Sequence, residues 1–140
     1  MIDFTNCEIN NFKYYGGKNG GKICVKYNNE DYMLKFPVIN EGIEEHGYSN
    51  SCISEYISCN IIDSIGLKVQ KTILGTYELN DMEKVVVACK DFTSEGTVLK
   101  QFVELKNSQI ETSKNGYGTE LEEVIQTIDE QLIYDVKELK

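Results

Sequence analysis

Apolar residues alternate loosely from Cys7 to Tyr15, through Ile9, Phe12 and Tyr14, and the pattern stops in Gly16-Gly17-Lys18-Asn19-Gly20-Gly21. Lys22-Ile23-Cys24-Val25-Lys26-Tyr27 then has the period and the β-branched content of a strand. Asn28-Asn29-Glu30-Asp31 is turn chemistry, and Tyr32-Met33-Leu34-Lys35-Phe36 is its returning strand, which Pro37 ends by withholding a ladder donor. Residues 38–50, with Gly42 and Gly47, read as a loop. Asn50 or Ser51 is placed to cap a helix that runs to about Ile65, where Gly66 stops it. Ile53, Tyr56, Ile57, Ile61 and Ile65 recur at three- and four-residue steps along that helix, and Cys52, Cys59 and Ile62 widen the stripe.

Two more strands are expected, Val69 to Leu79 and Lys84 to Cys89, joined by an Asn80-Asp81 turn. Val85-Val86-Val87-Ala88-Cys89 is continuously apolar, as in a central strand covered on both faces. Beyond Phe92 the spacing turns helical, first through Val98, Leu99, Phe102, Val103 and Leu105, then from Gly118 or Thr119 through Leu121, Val124, Ile125 and Ile128. A third helical stretch opens at Asp135 and reaches Lys140 without a terminator, too short to stand unaided. The order β-β-β-α-β-β followed by helices predicts an α+β fold, an antiparallel sheet with one packed helix and a C-terminal helical extension.

Composition narrows the functional classes. The 140 residues are 41% hydrophobic, which suits one compact domain and excludes global disorder. No apolar run approaches the length of a membrane span, and the N-terminus lacks a basic region followed by an apolar one. A cytoplasmic protein with no membrane partner is the expectation. Fourteen basic residues, all lysine, face 23 acidic ones, for a net charge of −9. That balance disfavours direct nucleic-acid binding, whose affinity comes from neutralising phosphates. The first 35 residues are nevertheless near neutral and glycine-rich, which points to a local anion site. Cys7, Cys24, Cys52, Cys59 and Cys89 contain no C-x-x-C pair, so reduced and mostly buried thiols are expected rather than a metal knuckle or disulfide framework. His46 stands alone in a glycine- and glutamate-rich stretch and reads as a solvated loop residue.

Gly16 to Lys22 spells G-x-x-x-x-G-K, but Ile23 follows where a P-loop needs Ser or Thr, and a strand opens there instead of a helix. A glycine-rich turn between strands is either a plain hairpin or a flap over a nucleotide's phosphates. Lys35 interrupts an apolar strand, as an edge-guarding lysine does or as a phosphate-gripping one does. Glu55 falls in the first turn of the next helix, favoured there by the helix dipole or as the partner of Lys35.

The succession Tyr15-Gly16-Gly17, Tyr32-Met33-Leu34-Lys35-Phe36-Pro37, Ser49-Asn50-Ser51-Cys52-Ile53-Ser54-Glu55-Tyr56-Ile57 and Val87-Ala88-Cys89-Lys90-Asp91-Phe92 resembles HipA-like (CtkA-type) bacterial Ser/Thr kinases over nearly the whole chain. The resemblance implies a kinase-like N-lobe over residues 1–92 and, over 93–140, a helical segment leading toward a C-lobe. By it, Gly16, Gly17, Asn19, Gly20 and Lys22 cover the phosphates of ATP, Lys35 contacts them, and Glu55 orients Lys35. The backbone of Cys89, Lys90, Asp91 and Phe92 forms the hinge that reads adenine. The family's usual Arg-Phe-Asp hinge element is replaced here by Lys90-Asp91-Phe92. Neither a catalytic Asp followed by Asn nor a metal-binding Asp loop is present in these residues, so no catalytic residue is assigned and Mg2+ is expected only in a complete two-lobe kinase. The partners implied are ATP, a kinase C-lobe or partner protein, and a Ser/Thr-bearing protein substrate, with a toxin-type role. The alternative is a non-enzymatic module that binds and regulates a partner kinase or an antitoxin.

Overall fold

The computed structural model describes residues 1–16, 21–37, 50–93, 96–109 and 120–135. His46 and the 38–49 loop lie outside the described residues, as do Gly17, Asn19 and Gly20 of the glycine segment and most of the expected third helix. The chain forms two compact units, Met1–Gly96 and Thr97–Lys140.

The first unit is a six-stranded sheet with one helix. Its strands are β1 (Ile2–Asp3), β2 (Glu8–Ile9), β3 (Lys22–Tyr27), β4 (Glu30–Lys35), β5 (Thr72–Leu79) and β6 (Met82–Lys90), and its helix is α1 (Ser51–Ser64). The spatial order is β1-β5-β6-β4-β3-β2. Every pairing is antiparallel except that of β1 with β5. The two long hairpins turn on Asn28-Asn29 (φ 51° and 63°) and Asn80-Asp81 (φ 52° and 58°). Asn and Asp tolerate that left-handed region and match the right-handed twist of the flanking strands.

The order of the strands forces the sheet to curl. Five spacings of about 4.8 Å put the edges of a flat sheet roughly 24 Å apart, yet the five steps from Asp3 to Glu8 reach only about 17 Å when extended. Phe4 fills the hollow of the curl. It is fully buried in a cluster with Val25, Leu34, Val86, Ala88 and the nearly buried Tyr32, and its ring meets Tyr27 edge-on at 5.4 Å.

The opposite face receives α1. There Cys52, Val87 and Cys89 form a small buried cluster with Met33 and Tyr56 against it. The continuous run predicted for a central strand is β6, where Val86, Val87, Ala88 and Cys89 are all fully buried. The α1 stripe is corrected by the structure: Ile57, Ile61 and Ile65 are 49%, 57% and 67% exposed, while Cys52 faces the sheet. A helix lying close over β5 and β6 fits small and polar side chains inward, and the isoleucines are left on its outer side. Asn50 is the cap residue but makes no side-chain cap bond; its carbonyl accepts from Ser54 N at 2.9 Å. Gly66, at φ 83°, ends the helix as expected.

In the second unit α2 (Phe102–Gln109) and α3 (Leu121–Glu130) touch each other. Val98 and Leu99, expected in a helix, precede α2 and are 72% and 73% exposed. In α3 the inward face is Val124, Thr127 and Ile128, with Leu121 and Ile125 exposed. No helix among the described residues is long and apolar enough to cross a membrane.

Candidate functional site

Register places three of the candidate residues, Lys22, Lys35 and Cys89, on one face, whereas Lys90 lies opposite Tyr32 on the other. Lys22 is directly opposite Lys35, which is opposite Val87; Cys24 is opposite Met33, which is opposite Cys89. Residues directly opposite in a ladder project to the same side. Lys22, Cys24, Met33, Lys35, Val87 and Cys89 therefore share the face that α1 covers in part.

Lys35 ends β4, and its Nζ lies 2.5 Å from Glu55 Oε1, with the two side chains 26% and 30% exposed. Glu55 lies beyond the first turn of α1, which holds no acidic residue, so the helix dipole is not what holds it in place. Two thiols brace the pair. Cys52 donates to the Lys35 carbonyl at 3.4 Å, and Cys89 donates to Glu55 Oε1 at 3.4 Å. Burial and the nearby Glu55 charge push the Cys89 thiol up to about 12, so it stays protonated at neutral pH. The sequence placed Cys89 by its backbone; its side chain supports Glu55. Cys52 was read only as core, and nothing in its spacing announces a bond to Lys35.

The glycine segment meets the sheet through Gly16 and Lys22, whose Nζ donates to the Gly16 carbonyl at 2.9 Å. Phe36 N donates to the Gly21 carbonyl at 3.1 Å, joining the far end of the segment to the end of β4. Lys22 and Lys35 thus stand as neighbouring cations with one carboxylate on Lys35. Like charges directly opposite in a ladder repel, so the arrangement favours an anion beside them.

At the C-terminal end of β6, Lys90 and Asp91 are hydrogen-bonded within the protein. Lys90 N donates to Lys71 O at 2.8 Å, Asp91 N to Asp31 O at 2.9 Å, and Lys90 Nζ to Glu30 at 2.5 Å. The Lys90 carbonyl accepts from Gln70 Nε2 at 2.9 Å. Phe92 is 51% exposed. The Asp91 carboxylate is nearly inaccessible, with 2% of its side chain exposed, and accepts from Lys13 Nζ and Tyr15 OH, both at 2.7 Å. Lys13 also pairs with Asp31 at 3.2 Å. Lys13 and Tyr15 escaped the sequence reading; the available signal was their two-residue spacing just before Gly16. A polar cavity of about 650 Å³ opens beside this network, lined by Asn10, Lys26, Asp31, Lys90, Asp91 and Phe92.

Among the described residues no group of three His, Cys, Asp or Glu side chains is placed to hold a metal ion. All five cysteines are free thiols.

The chain that carries this lysine–glutamate pair is similar over nearly its whole length to a known protein. The chain is 51% identical over 139 residues to the serine/threonine-protein kinase CtkA of Helicobacter pylori, covering 99% of this chain. The crystal structure of the Helicobacter pylori proinflammatory kinase CtkA matches with a TM-score of 0.87 over 99% of this chain. The chain is of the CtkA type. No family model matches it. It spans less than half of its relatives, 42% of the curated CtkA sequence and 45% of the crystallised chain. The mixed α+β fold of the chain, a curled six-stranded sheet with helices, matches that crystal structure and is consistent with a kinase-like N-lobe.

Proposed function

We propose that this chain is the ATP-binding lobe of a CtkA-type serine/threonine kinase. The opposition of Lys22 and Lys35 on one face, with Glu55 holding Lys35, carries the reading. Two lysines and one carboxylate leave a positive surplus that suits a polyphosphate, and a lysine held extended by a glutamate is how kinase lobes present that charge. In this reading Gly16 and Lys22 bracket the segment that covers the phosphates, and the backbone of Cys89 to Phe92 is the hinge beside the base, with the Asp91 side chain turned to Lys13, Tyr15 and Thr93. ATP supplies the γ-phosphoryl group when bound. The carboxylates that orient a serine or threonine hydroxyl and ligate Mg2+ come, in this proposal, from a second lobe, because the described residues offer no acidic cluster for the metal. Phosphorylation of a protein substrate, in the cytoplasm and in a toxin-type setting, belongs to that complete kinase.

Titration with MgATP while amide shifts are followed tests the proposal. Shifts at Lys22, Lys35 and Gly21 are expected at millimolar nucleotide, and Lys35→Ala should weaken binding by about tenfold or more, as loss of a charge-assisted phosphate contact does. Shifts scattered elsewhere, or none, would leave the non-enzymatic regulatory module as the better reading.

A further inference from the structure

Between β2 and β3 the described residues 10–16 form no strand, although Asn10 N donates to the Cys24 carbonyl at 2.9 Å. Their local bonds are a long one from Lys13 N to the Asn10 carbonyl (3.5 Å) and one from Phe12 N to Asn10 Oδ1 (3.0 Å). Phe12 and Tyr14 point outward, 95% and 90% exposed. Lys13 and Tyr15, on the alternate side, reach across 78 and 76 residues to one carboxylate oxygen, Asp91 Oδ2. The other oxygen, Oδ1, accepts from Thr93 N at 2.7 Å and Thr93 Oγ1 at 2.6 Å. Four donors thus saturate a carboxylate that is almost wholly out of water. A buried carboxylate left short of donors destabilises strongly, so this set holds as a unit.

We infer that Asp91 is a positioning residue that latches the stem of the glycine-rich segment, through Lys13 and Tyr15, to the end of β6. The Tyr15 oxygen also lies 3.3 Å from Cys24 Sγ, on the same face of β3 as Lys22. The latch therefore sets the stem over the face that carries Lys22 and Lys35. With its oxygens filled by protein donors, Asp91 acts on this stem and not on a bound base. This function rests on the nucleotide-lobe reading above, whereas the latch itself can be measured without nucleotide.

The test pairs hydrogen–deuterium exchange of peptides spanning residues 10–24 with MgATP titration, on the whole chain and its Asp91→Ala, Asp91→Asn and Tyr15→Phe variants. Exchange in 10–24 should rise about tenfold in Asp91→Ala and about threefold in Tyr15→Phe, while peptides from α1 and β5 stay near the parent rate. Tyr15→Phe should add little in the Asp91→Ala background, because both remove the same contact. MgATP affinity should fall about tenfold in Asp91→Ala, with Asp91→Asn in between. If Asp91→Ala fails to fold, Tyr15→Phe carries the test. Unchanged exchange in 10–24 overturns the latch. Raised exchange with unchanged affinity, in a parent that binds, overturns the positioning role. A parent that does not bind MgATP overturns the proposed function, and exchange alone then decides the latch.

Discussion

Asp91 keeps its charge where water barely reaches it, and its donors explain how. Burial by itself pushes the carboxyl up; the hydrogen bonds from Lys13, Thr93 and Tyr15 outweigh that and hold it below the usual carboxylate range. Its folded value thus lies below its unfolded value, near 3.9 for a free Asp. A depressed carboxylate contributes stability that is fully present above the unfolded value and is lost as pH falls through the folded one. The stability gap between the parent and Asp91→Asn should be constant from about pH 7 to 5 and shrink below about pH 4. Urea unfolding at stepped pH measures it, and a gap still at its neutral value near pH 2 would contradict the assignment. Lys35 and Glu55 were legible because each stands in the wrong company, a lysine in an apolar strand and an acid on a sheet-facing helix side. Lys13 and Tyr15 were not, since no local pattern connects them to a residue more than 70 positions away.

Elements were legible wherever the pattern was strong or the turn chemistry explicit. β3 begins and ends at the predicted residues, and α1 stops beside Gly66. The twin turns at Asn28-Asn29 and Asn80-Asp81 fell where Asn and Asp tolerate positive φ. Hidden from periodicity was β1, two residues long and paired in parallel across the chain to β5. Its docking depends on Gly75: a Cβ there would run into the Ile2 carbonyl oxygen and the Phe4 ring. Neither backbone nor a fully buried ring can yield cheaply. Gly75→Ala should cost about 1–3 kcal/mol by overpacking and lower the melting temperature by several degrees. Thermal unfolding followed by circular dichroism checks this, and an unchanged midpoint would show that β1 is not closing the curl. The outward isoleucines of α1 show the complementary limit: periodicity finds a stripe but cannot tell which side of a helix the sheet takes when the closer-fitting side is made of cysteine and glutamate.

For the whole molecule the charge pattern makes the last prediction. The chain carries −9, while Lys22 and Lys35 are neighbours on one face and the first 35 residues are near neutral. A bound polyphosphate would then feel two opposed fields of different range. Attraction comes from lysines within a few ångströms, and repulsion from acids spread over the rest of the chain. Salt separates them, because the screening length is about 30 Å at 0.01 M, about 8 Å at 0.15 M and about 3 Å at 1 M. Raising salt from 0.01 to 0.15 M removes most of the distant repulsion and little of the contact attraction. Going on to 1 M weakens the contact too. MgATP affinity should therefore rise or hold level to about 0.15 M and fall beyond it, unlike a basic nucleic-acid binder, which loses affinity throughout. Calorimetric titration at the three ionic strengths tests this. A monotonic fall from the lowest salt would mean that the acidic bulk of the chain does not bear on the site, and that Lys22 and Lys35 act in a field of their own.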